Sequence, residues 1–370
     1  KYNNKFEKAS WNEVYKIIKS RIENTQRDKI CGFVGDLTNM ESSFIFKEFF
    51  DRTLENNNYD FRSSQKFIDT SSRENYLFNS SINGIEDSDF VLLIGANPRF
   101  EATILNARIR KAYLNNNTKI VSLNDIGDLT YPYQCLDGKT KTIKEIFEDN
   151  HKLSKEIINA KRPMIILGES FFNSQSAFFL FKLIKEYLYK NKKISEEWNS
   201  LNILSNDAST VGCLDLDIIN EKENLIKSLK DNKFELIYLL GQDSLDFKKK
   251  NEFIIYQGSH GDKGAEIADV ILPGAAYTEQ DGFYTNLEGL LQKAYKASYP
   301  PGNAKEDWQI INELSNYISS KNLYNSKDSL EKHMINYLNL HNSKNNSSNN
   351  LEKNYIQEKI TIKNIDYFYS

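Results

Sequence analysis

Residues 11–22 carry apolar side chains at helical spacing behind Ser10, so the spacing predicts a helix capped by that serine. Residues 29–34 are a short apolar run that stops at a turn through Gly35 and Asp36, the pattern of a buried strand. Helical spacing returns over 41–50 with a heavy aromatic face, and 59–62 suggests a short extended piece. The sharpest signal is the unbroken apolar run 90–96, which contains Gly95 near its end and reads as a strand covered on both faces. Pro98 marks a turn, 101–115 a helix and 118–123 a further strand.

The alternation then repeats. Residues 163–168 read as a strand ending in Gly168, 176–189 as a long helix and 201–204 as a short strand. Residues 234–241 and 252–258 are two more buried strands, and 268–272 is a last short one before Pro273. Strands alternating with helices imply right-handed βαβ units and parallel sheets. The expected architecture is therefore α/β, with two Rossmann-like lobes and mostly parallel sheets. Taken in chain order, the first lobe covers 1–150 and the second 151–320, joined through the polar stretch around 139–160. Residues 321–354 read as a helix and a flexible linker, because 342–354 is almost wholly Asn, Ser and Lys. Residues 355–370 end in apolar side chains and are expected to dock on the body or on a partner.

Composition narrows the function. With 39% hydrophobic and 27% charged residues in 370, the chain can bury substantial cores. Lys and Arg number 48 against 51 Asp and Glu, a net charge of -3, which argues against the basic face that nucleic acid demands. No apolar run approaches the ~20 residues of a membrane span, so no direct span is expected. Cys31, Cys135 and Cys213 lie far apart, form no CxxC pair and are too few for a four-thiolate cluster; each is expected to be a small buried hydrophobe. His151, His260, His333 and His341 are equally dispersed, and no metal site is expected. The 22 Phe and 21 Tyr against 6 Pro favour residues with A/T-rich codons, which suggests an AT-rich, organelle-type genome.

Three segments offer chemistry. Gly95, Asn97, Pro98 and Arg99 stand at the carboxyl end of a buried strand, where ligands of open α/β sheets bind, and a helix start there favours anions. Arg108, Arg110 and Lys111 add positive charge, so the segment is either an anion or partner-carboxylate site or an ordinary helix start with surface arginines. Gly258, His260, Gly261 and Gly264 form a glycine-rich loop after another strand that matches neither the P-loop nor the dinucleotide fingerprint. His260 is a general base only with a carboxylate and a substrate in reach, and is otherwise a structural loop histidine. Residues 268–289 contain Glu279, Asp281 and Glu288 without a spacing that pairs them, and read as an ordered loop system. No Ser or Cys sits in a nucleophile elbow.

Residues 73–129, 211–216, 258–277, 286–289, 300–302 and 306–308 together resemble the molybdopterin-oxidoreductase-like C-terminal region of the largest iron–sulfur subunit of respiratory complex I, NADH:ubiquinone oxidoreductase. The resemblance runs in order from about residue 11 to 314, and 365–369 is similar to a short closing motif of that family. It implies a fold like that of formate dehydrogenase and DMSO reductase. In true molybdenum enzymes the segments matching 95–101 and 269–289 line the pterin-nucleotide cofactor. In the complex I region the resemblance implies that the site is vestigial, so Gly95, Asn97, Pro98, Arg99, Gly258, His260, Gly261 and Gly264 are expected to hold no cofactor, and no catalytic or metal-binding residue is carried over.

The implied function is a non-catalytic structural subunit of the peripheral, matrix-side arm at the mitochondrial inner membrane. It would belong to a proton-translocating enzyme without independent activity. Iron–sulfur clusters and FMN would sit on partner subunits. The foremost partner would be the cluster-bearing half of the same subunit, whose cysteine-rich modules are missing from this sequence, as in a split gene or a fragment. Two alternatives stay open: an active or degenerate molybdopterin-dependent oxidoreductase lobe, and a stand-alone nucleotide-binding module built on the glycine-rich loop at 258–264.

Overall fold

Apolar runs without polar alternation have to be covered on both faces, and this chain meets that demand in two five-stranded parallel sheets. The computed structural model describes residues 5–341 and 355–362. The chain lays down β1 (Ile30–Val34) and β2 (Tyr59–Asp60), then leaves them for β3 (Phe90–Ile94), β4 (Lys119–Ser122), β5 (Gln134–Cys135), β6 (Pro163–Gly168) and β7 (Leu201–Leu204). It returns with β8 (Leu236–Leu240), β9 (Phe253–Gly258) and β10 (Val270–Pro273). The first sheet has the order β10-β9-β8-β1-β2 and the second β5-β4-β3-β6-β7.

The sheets do not follow the sequential division at residue 150. β1 pairs along its whole length with β8, and β3 pairs with β6 across the expected join. The second sheet is thus inserted between two halves of the first. Local βαβ patterning sets the handedness of each crossover, but a strand's neighbour after a long excursion is chosen by which apolar edge remains to be covered. The polar join is itself two amphipathic helices, Thr140–Phe147 and Lys152–Asn159, whose Ile143, Ile146, Phe147, Leu153 and Ile157 enter the core of the second sheet.

The predicted cap is present: Glu13 N donates to Ser10 Oγ at 3.3 Å and Ser10 N to Glu13 Oε2 at 2.8 Å, which starts the helix Trp11–Glu23. The aromatic helix is α-helical over Met40–Glu48 and widens into a π-helical turn over Phe49–Leu54. Its Phe46 ring meets Tyr238 of β8 edge-on at 5.1 Å, tying helix to sheet. Residues 268–289 are not a loop system throughout, since β11 (Gly282–Thr285) and β12 (Leu291–Ala294) form an antiparallel hairpin. Cys31 and Cys213 are buried as expected, whereas Cys135 is exposed.

The helix Lys327–His341 packs on the first sheet's core, and residues 355–362 lie on the second. There Thr140 N donates to Glu358 O at 2.9 Å, Ile360 N donates to Gly138 O at 2.8 Å, and the Ile360 side chain is buried. The linker residues 342–354 and the closing 365–369 motif lie outside the described residues. Among the described residues no helix is long and apolar enough to cross a membrane.

Candidate functional site

In an open parallel sheet the strand order reverses at one place, and the loops leaving the two strands there diverge to open a crevice. The first sheet reverses between β1 and β8, the second between β3 and β6. The two crevices have different fates.

Beyond the first sheet lies a cavity of about 670 Å³, walled by the loops after β1, β8, β9 and β10 and by residues 301–307. Its lining includes Asp36, Asp243, Asp262, Glu279 and Asp307, and among the described residues no Lys or Arg. Asp307 opens the helix Asp307–Ser319 and is held by uncharged donors. Gln257 Nε2 donates to Asp307 Oδ1 at 2.8 Å, Gln280 Nε2 donates to Oδ2 at 2.7 Å, and Tyr238 OH donates to Gln257 Oε1 at 2.6 Å. Burial pushes the Asp307 carboxyl above the usual range, against the hydrogen bonds from the two glutamines. Asp243 accepts from Tyr256 OH and from Gly264 N, both at 2.8 Å. Burial raises its carboxyl too, and the charges of Asp262 and Asp36 push the same way.

Gly258 and His260 line this cavity. His260 is exposed, with Nδ1 2.9 Å from Ser259 Oγ. Gly264 sits where a Cβ would press on the Tyr256 ring and on Gln242 O, so glycine is required for its amide to reach Asp243. Gly261 has open space around it and no positive φ, so its lack of a side chain serves no close approach.

The second crevice is shut. Gly95 adopts φ +64, and a Cβ there would collide with the backbone of Phe171 in the short helix Glu169–Phe172 after β6. Ser170 N donates to Gly95 O at 3.2 Å, so the two diverging loops touch through their backbones. Asn97 donates from Nδ2 to Ile126 O at 3.2 Å, and Pro98 begins a four-residue helical turn, Pro98–Glu101, that breaks at Ala102 before the helix Thr103–Asn116. Of the two readings of this segment, the contacts are those of a helix start with surface arginines. Phe100 N and Glu101 N both donate to Asn97 O, and the buried Glu101 carboxyl occupies the helix start with Oε2 unpartnered. Arg99 pairs with Asp128 at 2.8 Å and Arg108 with Glu86 at 2.5 Å, so both cations meet carboxylates of their own chain. None of Gly95, Asn97, Pro98 and Arg99 lines the cavity of the first sheet, and the two candidate loops do not build one site.

Sequence reasoning missed the junction between the sheets. Arg73 donates from Nε and Nη2 to the two carboxylate oxygens of Asp215 at 2.9 and 2.7 Å, and from Nη2 to Gly289 O at 2.8 Å. Tyr76 OH adds a bond to Asp215 at 3.0 Å, and Ile82 N donates to Glu288 Oε1 at 2.7 Å. These residues come from the segments 73–129, 211–216 and 286–289, which sequence reading singled out without a physical role. The signal was there: charged residues of opposite sign inside otherwise specific segments.

Known proteins share this architecture. A family profile described as molybdopterin oxidoreductase matches residues 1–317. The chain is 41% identical over 314 residues to the G subunit of the NADH-quinone oxidoreductase of Rickettsia bellii (strain RML369-C), covering 85% of this chain and 45% of that protein. It is 39% identical over 343 residues to the NADH-ubiquinone oxidoreductase 75 kDa subunit of Reclinomonas americana, covering 88% and 49%. It is 39% identical over 323 residues to the mitochondrial 78 kDa subunit of NADH-ubiquinone oxidoreductase in Candida albicans (strain SC5314 / ATCC MYA-2876), covering 86% and 44%. The chain thus spans about half the length of the curated relatives it matches. Among solved structures it is similar in fold to a chain of the formyltransferase/hydrolase complex of Methylorubrum extorquens, with a TM-score of 0.58 at 11% identity, covering 84% of this chain and 97% of that one. By its matched residues and its paired parallel sheets, the chain belongs to the molybdopterin oxidoreductase family, on the branch whose curated members include the 75 kDa subunit of NADH-ubiquinone oxidoreductase and the bacterial G subunit.

Proposed function

We propose that this chain is a structural, non-catalytic part of the peripheral arm of respiratory complex I. In this reading it lies on the matrix side of the mitochondrial inner membrane, beside the subunits that bear FMN and the iron–sulfur clusters, the cluster-bearing half of its own subunit foremost. The reading draws on the names of its relatives and on one structural observation, the lining of the cavity at the first sheet's switch point.

A family cofactor of the metallopterin type carries phosphate groups. Phosphate needs cations or converging backbone N–H donors. The lining instead presents Asp36, Asp243, Asp262, Glu279 and Asp307, and among the described residues no Lys or Arg. A phosphate placed there would face like charges in a partly desolvated space, so the residues present do not fit the group. At the second switch point Ser170 N bonds to Gly95 O, which draws the two diverging segments together across the crevice. What the chain supplies is a joined crossover: the bonds of Arg73 to Asp215 and Gly289 tie the segment that leaves the first sheet to the one that returns to it, and electron transfer between clusters on a neighbour depends on fixed spacing.

The test is native purification of the tagged chain from mitochondria. Comigration with NADH dehydrogenase activity and with cluster-bearing subunits is expected. A free monomer would refute the reading, and stoichiometric molybdenum or tungsten on the chain would establish the oxidoreductase alternative instead.

A further inference from the structure

The mismatch between the cavity and an anionic cofactor has a positive side. Four of the five carboxylates that line it are bonded by neutral donors: Asp243 by Tyr256 OH and Gly264 N, Asp307 by Gln257 and Gln280, Glu279 by Ala276 N at 2.9 Å, and Asp262 by Lys263 N at 2.8 Å. Their negative field is therefore not balanced from within the lining. Among the described residues no three His, Cys, Asp or Glu converge closely enough to hold a metal ion. A space of about 670 Å³ with separated carboxylates suits an organic cation on an aliphatic stem rather than a bare ion.

The rim extends past the cavity. Tyr277, on the wall after β10, is 55% exposed, and Tyr299 is 76% exposed. Tyr299 lies on the segment that Ala297 N and Ser298 N anchor to Thr278 O and that runs on into the wall at Pro301. Lys296 Nζ already lies 4.9 Å from the centroid of the Tyr299 ring, so the ring that offers cation–π contact at the cavity is that of Tyr277, while both tyrosines add area beyond what a small ligand fills.

We propose that this cavity is a docking socket for a lysine or arginine side chain carried on a loop of a neighbouring subunit, its charged head among Asp243, Asp262 and Glu279 and its stem against Tyr277. The proposal rests on the reading of the chain as a complex I subunit. Charge complementarity selects the head group, and the exposed tyrosines favour a protein loop over a free amine.

The test uses the full chain in the assembled complex and the double variant D262N/E279Q. The side-chain amide oxygens that replace the two carboxylates can still accept from Lys263 N and Ala276 N, so the fold is retained, which unchanged thermal unfolding of the isolated chain verifies. Retention of the chain on the complex is measured across a KCl series. The variant is expected to lose apparent affinity by about tenfold or more and to be released at lower salt, as truncating one side of a desolvated charge contact does. Carbodiimide treatment of the wild-type complex is expected to join a socket carboxylate to a partner lysine; loss of retention without that crosslink identifies the head group as arginine. Wild-type retention with an equally retained variant overturns the socket and leaves the subunit reading intact. A wild-type chain that is not retained at all overturns both. If spermidine raises the unfolding temperature of the wild type but not of D262N/E279Q, and retention is unaffected, the occupant is a free amine and the docking proposal falls.

Discussion

Glu101 offers the most discriminating test of the packing, through Glu101→Gln. Its carboxyl closes the turn Pro98–Glu101 at the shut crevice, with Oε2 buried and unpartnered. Burial pushes the carboxyl up from 4.5 to about 7; the backbone of Asn97 opposes the rise and the charge of Glu169, itself 2.8 Å from Lys66, adds to it. At 1.36 kcal/mol per tenfold change in proton affinity, that difference corresponds to about 3 kcal/mol. Residual solvent contact reduces the expectation to about 2 kcal/mol.

The sign follows from which state binds the proton more tightly. The folded chain does, so the stability contributed by protonated Glu101 is complete below 4.5, is lost as pH rises from 4.5 to about 7, and stays lost above that. Glutamine carries no such dependence. Urea unfolding followed by tryptophan fluorescence at pH 5, 6, 7 and 8 should show the variant gaining on the wild type across this window, up to about 2 kcal/mol at pH 8. A difference independent of pH, or a variant less stable than wild type at pH 8, would refute the account of Glu101 as a buried, uncompensated acid.

Gly95→Val should destabilise the chain by about 2–4 kcal/mol, from positive φ and collision with Phe171, whereas Gly261→Val should stay within about 0.5 kcal/mol because nothing crowds it; equal effects in chemical denaturation would remove the argument. Arg73→Gln leaves the buried Asp215 carboxylate without its bidentate partner and should cost about 3 kcal/mol, with limited proteolysis opening the chain between the two sheets; an unchanged midpoint would show that the junction is held elsewhere. Ile360→Ala should weaken the docking of residues 355–362 by about 2 kcal/mol, read as faster hydrogen exchange at Thr140 N, which is bonded to Glu358 O; unaltered protection there would mean that the strap does not depend on this side chain.

Much of the second sheet was legible as sequence. The runs 90–96 and 163–168 are apolar without alternation and carry a glycine at or near their ends, and they became β3 and β6 because a strand buried on both faces admits little else; 118–123, whose Ile120 and Val121 stand among polar residues, became β4. The hairpin of β11 and β12 was not legible. Its burial pattern mixes buried, half-buried and exposed positions over four residues per strand, too short and too weakly patterned to stand out from the glycines around it. The helices Thr140–Phe147 and Lys152–Asn159 were hidden by their lysines and glutamates, although one face of each is buried.

The candidate sites divide in the same way. That ligand loops would follow strands at Gly95 and Gly258 came from local pattern, because the carboxyl ends of parallel strands are fixed by chain direction. Which crevice stays open did not. Gly95 meets Phe171 and Asp307 meets Gln257 only after strands distant in sequence have chosen their neighbours. By itself the sequence determined most strands of the two sheets, their parallel sense and the family. The tertiary structure alone decided the interleaving of the two sheets, the shut and open crevices, and the one-signed charge of the open one. Strand pairing and side-chain convergence are long-range outcomes of covering apolar edges, and no local window of residues encodes them.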